Sequence, residues 1–288
     1  MRVKPRGSHD SCTFALDKRL PIGNDVPELA RAFPPVDAIK TIVYNWSCTQ
    51  HLTTSEQLAA GVRYFDIRLS HPPESADDAT ILTVHGLYGP PLHTILDDVA
   101  VFLRAHPGEL VLLDCNHFYN FTSELHQIAI GQILSAFDEC CICGRANPDE
   151  LTLEQLSAGG KQLIVFYQAS PAAAVHVPPL FWTAHEIESP WAKAVDTQTV
   201  LEFAESALMA RPPGKFQVLQ AVATPELSDI VRGVQSSLEQ THARRTTGAT
   251  VEWLTRKRTL QHSAALNIVS VDFVEHAEFC KTVVALNQ

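Results

Sequence analysis

Two hydrophobic periods alternate along the chain. Short runs rich in β-branched and aromatic residues stand at 62–67 (VRYFDI), 80–85 (TILTVH), 109–116 (ELVLLDCN), 162–167 (QLIVFY), 215–222 (KFQVLQAV) and 266–274 (LNIVSVDFV). Several are nearly unbroken apolar stretches, as expected of strands covered on both faces. Helical patterns lie between them. Residues 54–60 open on capping residues and end at Gly61, while 92–105 carry Leu92, Ile95, Leu96, Val99, Phe102 and Leu103 on one stripe stopped by Pro107. Residues 125–137, 199–209 and 227–241 also predict helices. This alternation predicts a parallel sheet with helical crossovers. A proline-rich stretch at 170–190 predicts a long loop, with a short strand around Leu180, Phe181 and Trp182. Six firm strands require two weaker ones to close an α/β barrel of eight. A doubly wound sheet is the other arrangement, and the barrel is favoured. No repeat or linker divides the sequence, so 1–288 is read as a single domain.

Composition narrows the function. The 288 residues are 45% hydrophobic and 19% charged, which is globular. A formal charge of −10 argues against a nucleic-acid partner, whose phosphates need a basic footprint, but leaves a membrane surface open as a partner. The first residues, MRVKPRGSHD, lack an apolar signal core, and no apolar run reaches the roughly 20 residues that span a bilayer. Seven cysteines include the cluster Cys140, Cys141 and Cys143, with no second half-site at zinc-finger spacing. A reduced, cytoplasmic protein is expected.

Polar residues gather at the carboxyl ends of the predicted strands, where α/β barrels build active sites. Asp66 and Arg68 share one face of the first run; His85 ends the second and is followed by Gly86; Asp114, Asn116 and His117 end the third; Asp272 interrupts the last. His9 and Asp10, near the start, add a fifth position. Each alone has an ordinary structural reading, such as a strand-end ion pair for Asp66 and Arg68 or a satisfied turn for His85. Together, two histidines, an arginine and several carboxylates suit a phosphodiester. One histidine serves as base and one as acid, and the arginine fork binds phosphate. No crowded carboxylate set calls for a divalent ion, so no metal and no cofactor is expected.

The segments GSHDS (7–11), WSCTQ (46–50), EQLAAGVRYFDIRLS (56–70), VHGLYG (84–89), HPGELVLLDCNHFY (106–119), PWA (190–192) and NIVSVDFV (267–274) resemble the phosphatidylinositol-specific phospholipase C X-domain-containing proteins. The resemblance implies an irregular (β/α)8 barrel. It also implies cleavage of phosphatidylinositol to diacylglycerol and an inositol phosphate, by way of the 1,2-cyclic phosphate, at a membrane surface. His9 matches the general base, Asp272 its orienting carboxylate, His85 the general acid with Asp10 as partner, and Arg68 the phosphate-binding arginine of metal-independent bacterial enzymes. Asp66 stands where the family has an acid, and the resemblance suggests Asp66, Asn116 and Gln220 for substrate binding. Asn116 and Gln220 are neutral where the bacterial enzymes offer charge.

One departure concerns the start. Residues 1–6 hold a single apolar β-former, Val3, among a proline and three cations, so the first strand is expected to be weak or truncated. A truncated, catalytically impaired lipid-binding form is therefore an alternative. A glycerophosphodiester phosphodiesterase is another, although Asp66-Ile67-Arg68 replaces its Glu-x-Asp metal motif. Phe181, Trp182 and Trp191 are candidates to dip into a lipid interface.

Overall fold

The computed structural model describes residues 5–31, 37–73, 75, 77–171, 173, 175, 177–258 and 266–286. Its strands are β1 Arg6–Ser8, β2 Tyr64–Ser70, β3 Leu82–His85, β4 Leu87–Pro91, β5 Val111–Tyr119, β6 Leu163–Tyr167, β7 Ile187–Glu188, β8 Phe216–Gln220 and β9 Ile268–Val271. The helices are α1 Glu28–Arg31, α2 Asp37–Ser47, α3 Thr54–Ala60, α4 Leu92–Ala105, α5 Ser123–Ala136, α6 Leu153–Ala158, α7 Thr197–Met209, α8 Leu227–Arg232, α9 Arg244–Arg258 and α10 Phe279–Ala285.

The wall is a parallel, irregular barrel. From β1 it runs one way through β2, β5 and β6, and the other way through β9, β8 and β7. Between β6 and β7, among the described residues, the ladder thins to one parallel bridge, Phe166 to Trp182. That bridge falls on the short strand expected around Leu180 to Trp182. Five of the six firm predicted strands stand in this wall. The sixth differs: β3 runs antiparallel to β2, with Leu69 opposite Thr83 and Ser70 opposite Leu82, and turns at Gly86 into β4.

Inward and outward positions alternate as a pleated wall requires. Phe65, Leu113, Val165, Leu219 and Val269 join the layer shared with the helices, whereas Leu112, Ile164, Phe166, Val218 and Ile268 form a separate cluster with Tyr64 and Phe216. The second set plugs the lower barrel. The capping box at Thr53 and Glu56 starts α3, and Gly61 ends it at φ 105°, as the sequence pattern predicts.

β1 is short, at three residues, yet it pairs on both sides, Gly7 with Tyr64 and with Ser270. Pro5 precedes the strand, where its missing N–H costs no ladder bond, and the Arg6 Nε donates to the Gly61 carbonyl at the end of α3. The cation that made 1–6 look unsuited to a strand thus caps a helix; residues 1–4 lie outside the described residues.

The predicted helix at 227–241 is two pieces. α8 stops at Gly233, where a Cβ would stand 2.7 Å from the Trp46 ring, and a π-helical turn at Glu239–Ala243 leads into α9. Among the described residues, no helix is long and apolar enough to cross a membrane.

Candidate active site

Above the apolar plug, the same inward positions turn polar: Asp66 and Arg68 on β2, Asn116 on β5, Gln220 on β8, then Ser270 on β9 and Asp272 just past it. These residues line a cleft of about 740 Å³ together with His9, Asp10 and His85. The site is therefore the top layer of the barrel, at the carboxyl ends of the parallel strands.

His9 and Asp10 follow β1 directly. His9 Nδ1 lies 2.8 Å from Asp272 Oδ1, and His9 Nε2 lies 3.3 Å from Asp10 Oδ2. Asp10 Oδ2 is also 3.2 Å from His85 Nε2, and its Oδ1 is 2.6 Å from Arg68 Nε. One buried carboxylate thus stands among three basic groups. The two imidazole rings are 6.3 Å apart, centroid to centroid, and nearly perpendicular at 76°. Neither Asp10 oxygen nor Arg68 Nε meets a partner along a hydrogen-bond direction, so proximity of charge holds this group together.

His85 reaches this point because β3 runs back down along β2. Its Nδ1 lies 2.7 Å from the Ser47 carbonyl. Asp10, expected as the partner of this ring, stands beside its Nε2 and beside His9 as well, while a backbone carbonyl holds Nδ1.

The electrostatics follow from burial. Burial alone would lower the His9 pKa, but the Asp10 and Asp272 charges outweigh it and raise the ring to about 9. For Asp10, burial opposes ionisation, while Arg68, His85 and His9 prevail and hold the carboxyl at about 2. Arg68 loses hydration by burial, yet Asp10 and Asp66 raise its pKa still further. Arg68 is therefore a permanent cation whose side chain keeps 21% of its exposure.

Asp66 accepts from the Asp10 backbone N–H at 3.0 Å and from Asn116 Nδ2 at 2.7 Å, so both oxygens are engaged inside the protein. A register shift in the β2–β5 ladder sets His117, rather than Asn116, opposite Arg68. The irregularity brings both side chains to the cleft. Gln220 donates to the Ser189 carbonyl at 2.9 Å on the far wall. The reading of strand ends did not single out Gln168, which lines the cleft and donates to the fully buried Asp114 at 2.7 Å, beside the Tyr64 hydroxyl. Burial pushes Asp114 up to about 7. The signal for Gln168 was present: it is the first polar residue after QLIVFY.

Ligand atoms of His9, Asp10 and Asp66 lie within 4.8 Å of one another, among the described residues a set able to approach a cation. The fit is poor, because Arg68 already contacts Asp10 and a second positive charge there would repel it.

The aromatic residues of 171–191 divide. Phe181 and Trp182 are fully buried; the Trp182 indole donates to the Cys143 carbonyl and packs on Phe166 and Phe216. They cannot dip into lipid, since they complete the barrel wall. Trp191 is 42% exposed at the cleft mouth, its indole donating to Thr224.

No protein-family model matches the chain. Among curated proteins it is 33% identical over 287 residues to PI-PLC X domain-containing protein 2 of Mus musculus, across 98% of this chain and 81% of that one. It is 33% identical over 284 residues to PI-PLC X domain-containing protein 3 of Homo sapiens, across 98% and 86%. Among solved structures, the phosphatidylinositol-specific phospholipase C of Listeria monocytogenes superposes with a TM-score of 0.67 at 15% identity, over 100% of this chain and 93% of that one. A Staphylococcus aureus phosphatidylinositol-specific phospholipase C structure, concerned with modulation of its membrane binding, gives 0.65 at 17% identity, over 100% and 93%. At these identities the structural likeness establishes the fold.

Proposed function

The chain belongs to the PI-PLC X domain-containing proteins, and from that premise we propose that it is a metal-independent phospholipase C acting on phosphatidylinositol at a membrane surface. The observation that carries this reading is that two imidazoles and one arginine, His9, His85 and Arg68, all stand within 3.3 Å of one buried carboxylate, Asp10, in a single cleft at the barrel mouth.

In this reading Arg68 binds the phosphodiester and offsets charge that grows as phosphorus becomes five-coordinate. His9 Nε2 takes the proton of the inositol 2-hydroxyl while Asp272 fixes the ring through Nδ1. The oxygen attacks phosphorus, and the bond from phosphorus to the glycerol oxygen breaks. His85 Nε2 gives that oxygen its proton, leaving diacylglycerol and the 1,2-cyclic inositol phosphate. The Ser47 carbonyl holds His85 through Nδ1, which leaves Nε2 turned toward Asp10 and the cleft. Water then opens the cyclic phosphate with the two histidines in exchanged roles. Asn116, Gln168 and Gln220 supply the polar wall for the inositol hydroxyls.

The cleft has an apolar rim suited to lipid. Leu227 and Val231 on α8 are 76% and 68% exposed, and Trp191 and Ile230 of α8 line the cleft itself. A headgroup drawn into the cleft would leave its acyl chains against this rim. The test is diacylglycerol release from phosphatidylinositol in mixed micelles with a chelator present. Turnover that survives chelation and is lost in His85→Ala supports the reading. No turnover, or turnover only with added calcium, overturns it.

A further inference from the structure

The residues proposed to react come from three separated places: the turn after β1, the turn after β9 and the β3–β4 hairpin. A single short segment, 47–50, touches all three. It links α2 to α3, and Cys48, Thr49 and Gln50 are all buried, the last two completely. The Ser47 carbonyl faces His85 Nδ1. Thr49 Oγ1 lies 3.0 Å from the His9 carbonyl and 3.1 Å from the Asp10 carbonyl, and the Thr49 carbonyl accepts from Phe273 N–H at 2.7 Å. Gln50 Nε2 donates to the carbonyls of His9 and Val271, both at 3.0 Å, while its Oε1 accepts from Val274 N–H. The two turns flanking His9 and Asp272 are thus joined through one amide.

A second observation points the same way. Asp10 and Phe273, each the residue directly after a proposed reacting or orienting side chain, have φ of 41° and 50°. Non-glycine residues in the left-handed region persist where the surroundings over-determine them. Here the surroundings are this segment, which bonds the Asp10 carbonyl and the Phe273 N–H. The opposite face is equally tight: a Cβ on Gly86 would come within 2.2 Å of Ser47 Oγ.

We propose that segment 47–50 sets the geometry of the acid–base machinery, with Thr49 and Gln50 as positioning residues that hold His9 against Asp272 while the Ser47 carbonyl holds His85. The proposal rests on the phospholipase reading for its kinetic consequence and on hydrogen-bond geometry alone for its structural one. Thr49 and Gln50 act through His9; neither is assigned contact with substrate.

The experiment uses Thr49→Val, which keeps the shape and removes the hydroxyl, Thr49→Ser, which restores it, and Gln50→Met as an independent cut. Hydrolysis of phosphatidylinositol in mixed micelles is measured alongside the imidazole signals of His9 by NMR, assigned with His9→Gln. Thr49→Val and Gln50→Met are expected to lower kcat by about 10- to 100-fold, the scale for sub-ångström to 1 Å misplacement. KM should stay within about twofold, and Thr49→Ser should recover most of the rate. The His9 titration midpoint should fall in both disruptive variants and return in Thr49→Ser, because the ring loses its fixed approach to Asp272. Unchanged kcat and an unchanged His9 midpoint in both variants would overturn the proposal. So would equal losses in all three with a matching fall in melting temperature, since that is a purely structural effect. Should the parent protein release no diacylglycerol, the phospholipase reading fails, and the His9 midpoints still decide whether the segment positions the ring.

Discussion

At the scale of single residues, His9 carries a conflict between stability and reaction. Flanked by Asp10 and Asp272, it is raised to about 9, so near neutrality the empty site holds it protonated. A general base must be neutral. kcat/KM, which reports the free protein, is therefore expected to rise about tenfold per pH unit through neutrality and to level near pH 9. A profile flat from pH 6 to 8 would remove His9 as the base. Asp272→Asn should lower that midpoint toward 6.5 and cut kcat by about 10²-fold or more, as the ring loses charge and tautomer control together. Stability runs the other way. A raised folded pKa contributes fully below 6.5 and is lost as pH climbs through about 9, a term of order 3 kcal/mol for this ring. Asp10, depressed to about 2, contributes above 3.8 and loses its contribution only as pH falls through about 2. Urea unfolding at pH 6 and pH 9.5 checks this; His9→Gln should flatten the alkaline decline. That His9, Arg68, His85 and Asp272 would gather in one cleft was legible because polar residues at apolar strand ends need a reason to be there. The central place of Asp10 was not, because it depends on a left-handed turn that an aspartate rarely takes.

At the scale of elements, the hairpin of β3 and β4 decides where the second histidine sits. Its run reads as one more barrel strand, since composition does not distinguish a strand that joins parallel from one that folds back. The decisive residue is Gly86, at φ 69° and pressed on Ser47 and Val43. Gly86→Ala adds both a strained backbone and a clash, so a loss of about 1–3 kcal/mol is expected. A larger loss of kcat than for an equally destabilised variant remote from the cleft should accompany it; chemical denaturation and micelle kinetics on one preparation test the pair. Helix α9 escaped the hydrophobic pattern for a related reason. Its buried positions include Thr246, Thr247 and Thr250, whose hydroxyls are satisfied inside: Thr250 by the Thr246 carbonyl, Thr246 by Thr197, and Thr247 by the carbonyl of Asp272. A buried face made of internally bonded threonines carries no apolar stripe. It nonetheless packs, and it adds a further tie to the turn that bears Asp272.

At the scale of the whole molecule, the barrel was legible as a class, because apolar strands alternating with helices have few ways to close. Its irregularity came with the family resemblance, but where the wall thins was not legible, since the gap between β6 and β7 depends on Trp182 turning inward to reach Cys143. The same scale governs how a protein of charge −10 meets anionic lipid. Long-range attraction cannot bring it there, because like charges repel over a Debye length of about 8 Å at physiological salt. On the proposed reading, adhesion comes from the apolar rim of α8 and Trp191, where Leu227 and Val231 remain largely exposed. Two consequences separate this account from an electrostatic one. Turnover on phosphatidylinositol vesicles should hold or increase when salt rises from 50 to about 300 mM, as repulsion is screened. The double variant Leu227→Ser, Val231→Ser should lose about tenfold or more on vesicles while keeping its rate on a short-chain substrate below its micelle concentration. The two removed side chains represent about 3–6 kcal/mol of full burial, of which an interface would recover a part. A steep fall in rate with salt, or equal losses on vesicles and monomers, would place lipid contact elsewhere on the molecule.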